Sequence, residues 1–136
     1  MNNNITLTSF LSRDKDWLRE LLIDKDVRKF LPHLTTDVDK FIFDMEIAER
    51  KGLGKFLIIR LDNIGIGFIS IYDLAEDPFV FYAMLPKYRN KRYMHNAIKL
   101  IVNKYSLTLS TVVDNNNEAS MKILKDTNIN ISQNNI

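Results

Sequence analysis

Apolar positions along this chain change period several times. At the start Ile5, Leu7 and Ser9 alternate with Thr6, Thr8 and Phe10, the two-residue period of a short strand. Behind Ser12, a residue type that caps helices, Trp17, Leu18, Leu21 and Leu22 fall on one helical face. A further helical turn, Asp26 to Leu31, ends at Pro32, because the residue before a proline is pushed out of the helical region. Thr36, with Asp39 three residues on, resembles an N-cap for a second stripe of Val38, Phe41, Ile42, Met45 and Ala48, which Gly52 terminates.

The middle of the chain returns to strand character. Phe56 to Leu61 and Ile64 to Tyr72 are β-branched or aromatic runs joined by Asp62-Asn63, which predicts a hairpin. Asp77-Pro78 opens a third strand, Phe79 to Met84, and Pro86 closes it. Met94, Ala97, Ile98, Ile101, Val102 and Tyr105 recur at helical spacing. Leu107 to Val113 reads as a strand, Asn117 caps a last helix carrying Met121 and Leu124, and Ile129 and Ile131 start a final strand. The order β-α-α-β-β-β-α-β-α-β, with a late strand-helix-strand crossover, predicts an α/β sandwich with a mixed sheet. There is no internal repeat or long linker, so residues 1–136 are expected to form one domain.

Composition sharpens this picture mainly by exclusion. The 136 residues are 46% apolar and 26% charged, enough for an ordinary core without staples. The absence of Cys removes any thiol nucleophile, enzyme-bound thioester or thiolate-ligated metal. The two histidines, His33 and His95, are far apart in sequence, and no metal site is expected. No apolar run approaches the ~18 residues of a membrane span. The opening Met-Asn-Asn-Asn has neither region of a secretory signal, so a cytoplasmic protein is expected.

The net charge of +2 averages two unlike regions. Between Pro78 and Val113 there is no Asp or Glu, while Lys87, Arg89, Lys91, Arg92, Lys99 and Lys104 all lie there. That segment is +6 and the remaining hundred residues, with 13 basic and 17 acidic side chains, are −4. Local cationic charge on a nearly neutral protein suggests a small anionic ligand more than a nucleic acid. The string from Leu85 to Met94 connects a strand to a helix, and a helix N-terminus offers unpaired N–H groups and the positive end of the dipole. Charge alone leaves two readings, a phosphate cradle or a solvated basic loop.

The residues in this string resemble the GNAT family of acetyl-CoA-dependent N-acetyltransferases, in particular the RimJ/RimL branch that acetylates N-terminal amines of ribosomal proteins. There the strand-loop-helix commonly reads Y-x-L-x-P-x-Y-R-G-K-G-Y-M-x-E-A. This chain has Tyr82, Met84, Pro86, Tyr88, Arg89, Asn90, Lys91, Arg92, Tyr93, Met94, Asn96 and Ala97 at those places. A second signature, E-N-x-x-S-x-x-V-L-E-K-x-G-F, aligns with Asn116 to Ile129, and Ile66 to Ile71 resembles the family's G-x-I-x-L strand. The resemblance implies a mixed, mostly antiparallel sheet flanked by helices and acetyl-CoA as co-substrate. Backbone groups of Ala83, Met84 and Leu85 would meet the pantetheine arm where two strands splay. The amides of Arg89, Asn90, Lys91, Arg92, Tyr93 and Met94 would wrap the pyrophosphate, with Asn117 and Ser120 facing the cofactor from the other side. The reaction implied is acyl transfer by proximity, to a protein N-terminus or small amine.

Several positions depart from the pattern. The loop glycines of R-G-K-G are Asn90 and Arg92; Asn tolerates positive φ, whereas Arg does so poorly. Either Arg92 swings out to add a phosphate contact or its bulk closes the loop. The family's Tyr acid in the last helix is Leu124 here, which leaves Ser120 as the substitute acid or as a helix-start hydroxyl. A carboxylate common near the start of the third strand falls at Phe79, with Glu76 and Asp77 the nearest replacements or turn residues. His33 is a candidate base or an exposed loop residue, and His95 is expected to face solvent. After Asn128 only one further strand fits where the family usually has two, so a more open acceptor site or a homodimer that completes the sheet edge is expected. A GNAT-fold module that binds CoA without catalysis is the rival reading.

Overall fold

In the computed structural model, which describes residues 4–72, 79–105, 110–114 and 130–134, the alternating runs become strands β1 (Ile5–Thr8), β2 (Gly54–Leu61), β3 (Ile64–Tyr72), β4 (Phe79–Met84), β5 (Ser110–Asp114) and β6 (Asn130–Asn134). They form one sheet in that order, antiparallel from β1 to β4 and parallel from β4 to β6. The Asp62-Asn63 hairpin is realised: Leu61 pairs with Ile64, and both turn residues take positive φ, as a type I′ turn requires. The helix expected from Asn117 lies outside the described residues.

The helices described are α1 (Lys15–Leu22), α2 (Lys25–Phe30), α3 (Val38–Arg50) and α4 (Tyr93–Tyr105). Three helices rather than the expected two thus precede β2, the turn expected from Asp26 to Leu31 forming a separate helix with its own Asp24 cap. Period-2 alternation divides the sheet's apolar side chains between two cores. Phe56, Ile58, Phe68 and Phe81 pack against Leu18, Leu21, Leu22, Phe41 and Met45 from α1 and α3. Ile59, Ile69, Ile71 and Val80 pack with Met94, Ala97, Ile98 and Ile101 of α4. Helices thus cover both faces, as the mixed α/β pattern predicts. No helix among the described residues is long and apolar enough to cross a membrane.

Two cap assignments are corrected. Ser12 opens a 3-10 turn, Ser12–Asp14, and α1 follows from Lys15 without a side-chain cap. For α3 the cap is Asp37, whose carboxylate accepts from the Asp39 and Lys40 amides, rather than Thr36. At the other end of α3 the Leu53 amide donates to the Ala48 carbonyl, and Gly52 has φ +71°, the left-handed stop its sequence position predicts.

One buried ion pair joins the entry turn to the sheet. Arg60 on β2 reaches both carboxylate oxygens of Asp14 at 2.8 Å, and the Asp14 carboxylate also accepts from the Leu11 amide and the Trp17 indole. Burial pushes the Asp14 pKa up, but these hydrogen bonds and the Arg60 charge outweigh it, and the carboxyl sits below its usual 3.8. Gly65 makes room: a Cβ there would meet Trp17 and the Asp14 carboxylate at 2.6–2.8 Å.

Candidate functional site

The sheet opens beside the C-terminal half of β4. β4 and β5 are in register at Phe79 with Ser110 and at Val80 with Thr111, and the two strands then run on without further pairing to each other. Which backbone groups enter that gap follows from strand phase, because successive residues in an antiparallel ladder turn alternately toward and away from a neighbour. The Leu85 amide donates to the Ile66 carbonyl at 2.9 Å, so Leu85 and Ala83 face β3 and Met84 faces the gap. Of the three residues expected to offer backbone to a ligand there, only Met84 is so directed. Gly67 permits this close pairing, since a Cβ on it would collide with the Ala83 carbonyl.

Beyond β4 the chain makes a 3-10 turn, Pro86–Tyr88, and then reaches α4 through two residues of left-handed conformation, Asn90 at φ +62° and Arg92 at φ +67°. These are the two positions where the resemblance calls for glycine. The backbone keeps the glycine-type shape although an L side chain there costs roughly 1–2 kcal/mol. The Asn96 amide closes the first turn of α4 onto the Arg92 carbonyl at 3.1 Å. The Arg89 amide is already bonded to the Pro86 carbonyl, which removes it from the expected set, whereas the amides of Asn90, Lys91, Arg92, Tyr93 and Met94 bond to none of the described residues. Free amides at a helix N-terminus are the kind of group that can bind an anion.

The cations of this segment divide by environment. Asn90, Lys91 and Arg92 are exposed at the mouth of the loop. A guanidinium nitrogen of Arg92 lies 3.4 Å from His95 Nε2. His95 is only 5% exposed, which corrects the expectation that it faces solvent; helical spacing places it one residue from Met94 on the packed side of α4. Arg89 is engaged on three sides, with Nε donating to the Met84 carbonyl at 2.9 Å and the other two nitrogens to Asp26 at 2.9 Å and Asp24 at 2.8 Å. Burial raises the Asp24 pKa, but the Arg89 hydrogen bond and charge, with the α2 amides that Asp24 caps, bring it below the usual carboxylate value.

A cavity of about 370 Å³ lies on the opposite face of the sheet, over β4 and beneath the α2–α3 connection. Phe41, Asp44 and Met45 of α3, Tyr72 of β3, Phe81 of β4 and His33 contribute to its wall. The Tyr72 and Phe81 rings stack at 5.4 Å, and His33 meets Phe81 edge-on at 5.6 Å. Part of the His33 ring stays in solvent, yet its packing on Phe81 and the nearby Arg28 cation lower its pKa below the usual histidine value. Burial raises the Tyr72 pKa, with Ser70 opposing and Asp44 adding to it, so the phenol stays protonated at neutral pH.

The Met84 backbone is thus turned away from β3 and the amides of residues 90–94 bond to none of the described residues, whereas Ala83 and Leu85 face β3 and the Arg89 amide is bonded to Pro86. Glu76, Asp77, Asn117 and Ser120 lie outside the described residues. Sequence reasoning missed the Asp24–Asp26–Arg89 cluster; the signal was Asp-x-Asp at a helix start, with no hint of a partner 63 to 65 residues away. Among the described residues no group of His, Asp or Glu is arranged to hold a metal.

Comparison with known proteins agrees with this fold. A GNAT-family acetyltransferase from Bacillus anthracis superposes with a TM-score of 0.73 at 21% identity, covering 93% of this chain and 80% of that one. The ribosomal L7/L12 α-N-protein acetyltransferase RimL in complex with coenzyme A gives 0.76 at 12% identity, covering 90% and 78%. Spermidine N-acetyltransferase from Vibrio cholerae, in complex with CoA and spermine, gives 0.75 at 10% identity, covering 90% and 79%. No curated protein sequence matches significantly. The sequence pattern of the acetyltransferase (GNAT) domain matches residues 4–128. With nearly the whole chain under that pattern and the parted β4–β5 strands feeding an amide-lined helix start, this protein belongs to the GNAT acetyltransferase family.

Proposed function

We propose that this chain is an acetyl-CoA-dependent N-acetyltransferase acting on a primary amine, with the α-amine of a protein N-terminus as the favoured class. The observation that carries the reading is the left-handed pair Asn90 and Arg92, beside which the Asn90–Met94 amides bond to none of the described residues. Those amides, with the exposed Lys91 and Arg92, would hold the pyrophosphate; the Met84 N–H would hold the pantetheine arm. Acetyl-CoA supplies an activated thioester, and the protein's task is to align an amine with it and exclude water. The aromatic cavity over Phe81 would seat the acceptor side chain.

His33 is the proposed base. Its lowered pKa leaves it neutral, and so able to accept a proton, at physiological pH. An α-amine of pKa about 7.7–8 needs less help from such a base than a lysine at about 10.4, which favours N-terminal amines. From the resemblance, Ser120 would return a proton to the departing thiolate and Asn117 would face the cofactor, with Glu76 and Asp77 the nearest replacements for the proton-accepting carboxylate whose place Phe79 takes.

Calorimetric titration with acetyl-CoA and with CoA, followed by a panel of N-terminal peptides and polyamines, tests the proposal. Saturable binding with turnover of an α-amine is expected. No heat at high micromolar ligand would refute it, and tight binding without turnover on any amine would transfer the assignment to a non-catalytic CoA-binding module.

A further inference from the structure

Arg89 lies inside the most basic stretch of the chain, yet its charge is not offered to a ligand. Its guanidinium bridges three acceptors from two parts of the fold: the Met84 carbonyl at the end of β4, and the Asp24 and Asp26 carboxylates at the start of α2. It is about a quarter exposed, and Asp24 less, so the pair is shielded from the screening that weakens surface ion pairs. Asp24 at the same time caps α2 through the Asp26 and Val27 amides. The α2 segment leads within a few residues to His33 and the cavity wall, while the Arg89 main chain leads directly into Asn90 and Arg92. One planar side chain therefore ties the amide-lined loop, the open edge of β4 and the acceptor side of the fold.

We propose that Arg89 is a positioning residue that sets the shape of the Asn90–Met94 amides by anchoring the loop to Asp24 and Asp26, and that it does not itself contact phosphate. This inference rests on the proposed CoA site. It also explains how the loop sustains positive φ at two side-chain-bearing residues: the strained segment is pinned at its N-terminal end by Arg89 and at its C-terminal end by the first turn of α4. A lysine cannot replace the arrangement, because an ammonium carries its three donors on one nitrogen and cannot span acceptors met by the three separate nitrogens of a guanidinium plane.

The test is CoA affinity and thermal stability of the full chain with Arg89→Gln, Arg89→Lys, Asp24→Ser and the Arg89→Gln/Asp24→Ser double variant. Serine retains the α2 cap and removes only the carboxylate partner. Expected is a loss of CoA affinity on the order of tenfold in each single variant, of the size that small misplacement causes. The double variant is expected to be no worse than the singles, as for two members of one interaction. If Arg89 instead bound phosphate, Asp24→Ser would free its charge and tighten CoA binding, which would overturn the proposal. Equal CoA affinity in all variants, with only the melting temperature lowered, would reduce Arg89 to a structural tie and also overturn it. Failure of the unsubstituted protein to bind CoA would instead remove the site on which the inference stands, an outcome separable from both.

Discussion

Arg92 holds φ at +67° with a side chain that disfavours it, and its guanidinium turns toward His95. The backbone keeps the glycine-type shape and the side chain stays exposed, so of the two expected outcomes the added phosphate contact is the one proposed. Arg92→Gly should accordingly raise thermal stability, by up to about 1 kcal/mol as strain is relieved. The same change should weaken CoA about tenfold by deleting a charged hydrogen-bond donor. Lys104→Ala, about 18 Å along α4 from that loop, should leave CoA affinity unchanged, and equal effects of the two substitutions would move the phosphate site elsewhere. At His33 the lowered pKa sets the pH dependence. As the neutral base it works above its pKa, so kcat should hold from neutral pH down through 6.5 and fall only as pH drops through the lowered value. His33→Gln should cost on the order of a hundredfold in kcat and abolish that acid limb; a limb that survives would assign the proton to another group.

At the level of elements, most of the pattern was legible. The three helical stripes realised in α1, α3 and α4, the Asp62-Asn63 turn and the Gly52 stop follow from local residue chemistry, and all appear where the sequence predicts them. The caps were not legible, because Thr35, Thr36 and Asp37 are adjacent and all of capping type; the entry angle of the chain selects Asp37. The Arg60–Asp14 pair was invisible for a different reason, since its partners are 46 residues apart and Arg60 interrupts an apolar strand that sequence reasoning treats as uniform. Both side chains are at most 3% exposed. Arg60→Met, which leaves Asp14 buried without its partner, should therefore destabilise by about 3–5 kcal/mol in urea unfolding. Adding Asp14→Leu should restore part of that loss, and a single-variant cost under about 1 kcal/mol would show the pair to be solvated.

Across the whole molecule, carboxylates bind the helical layer to the rest: Asp14 fixes the entry to α1 onto β2, and Asp24 fixes α2 onto the loop before α4. Both have pKa values lowered in the folded state, so both favour folding above the usual 3.8, and their contribution disappears as pH falls through the lowered values. Circular dichroism against pH should show a stable plateau above about pH 5 and cooperative loss of structure below 3.8, and the Asp24→Ser variant should lose less of its remaining stability over that range. By itself the sequence determined the fold class, the order of the strands and the place of the strand-to-helix loop proposed to bind CoA, because periodicity, turn residues and helix starts are local properties. Tertiary structure alone decided which groups in that loop are available. Strand phase turned Met84 toward the gap and Ala83 and Leu85 away from it, distant aspartates took the Arg89 charge, and packing of β3, β4 and α3 made a cavity beside His33. Each depends on groups brought together across tens of residues, where local pattern carries no information about partners.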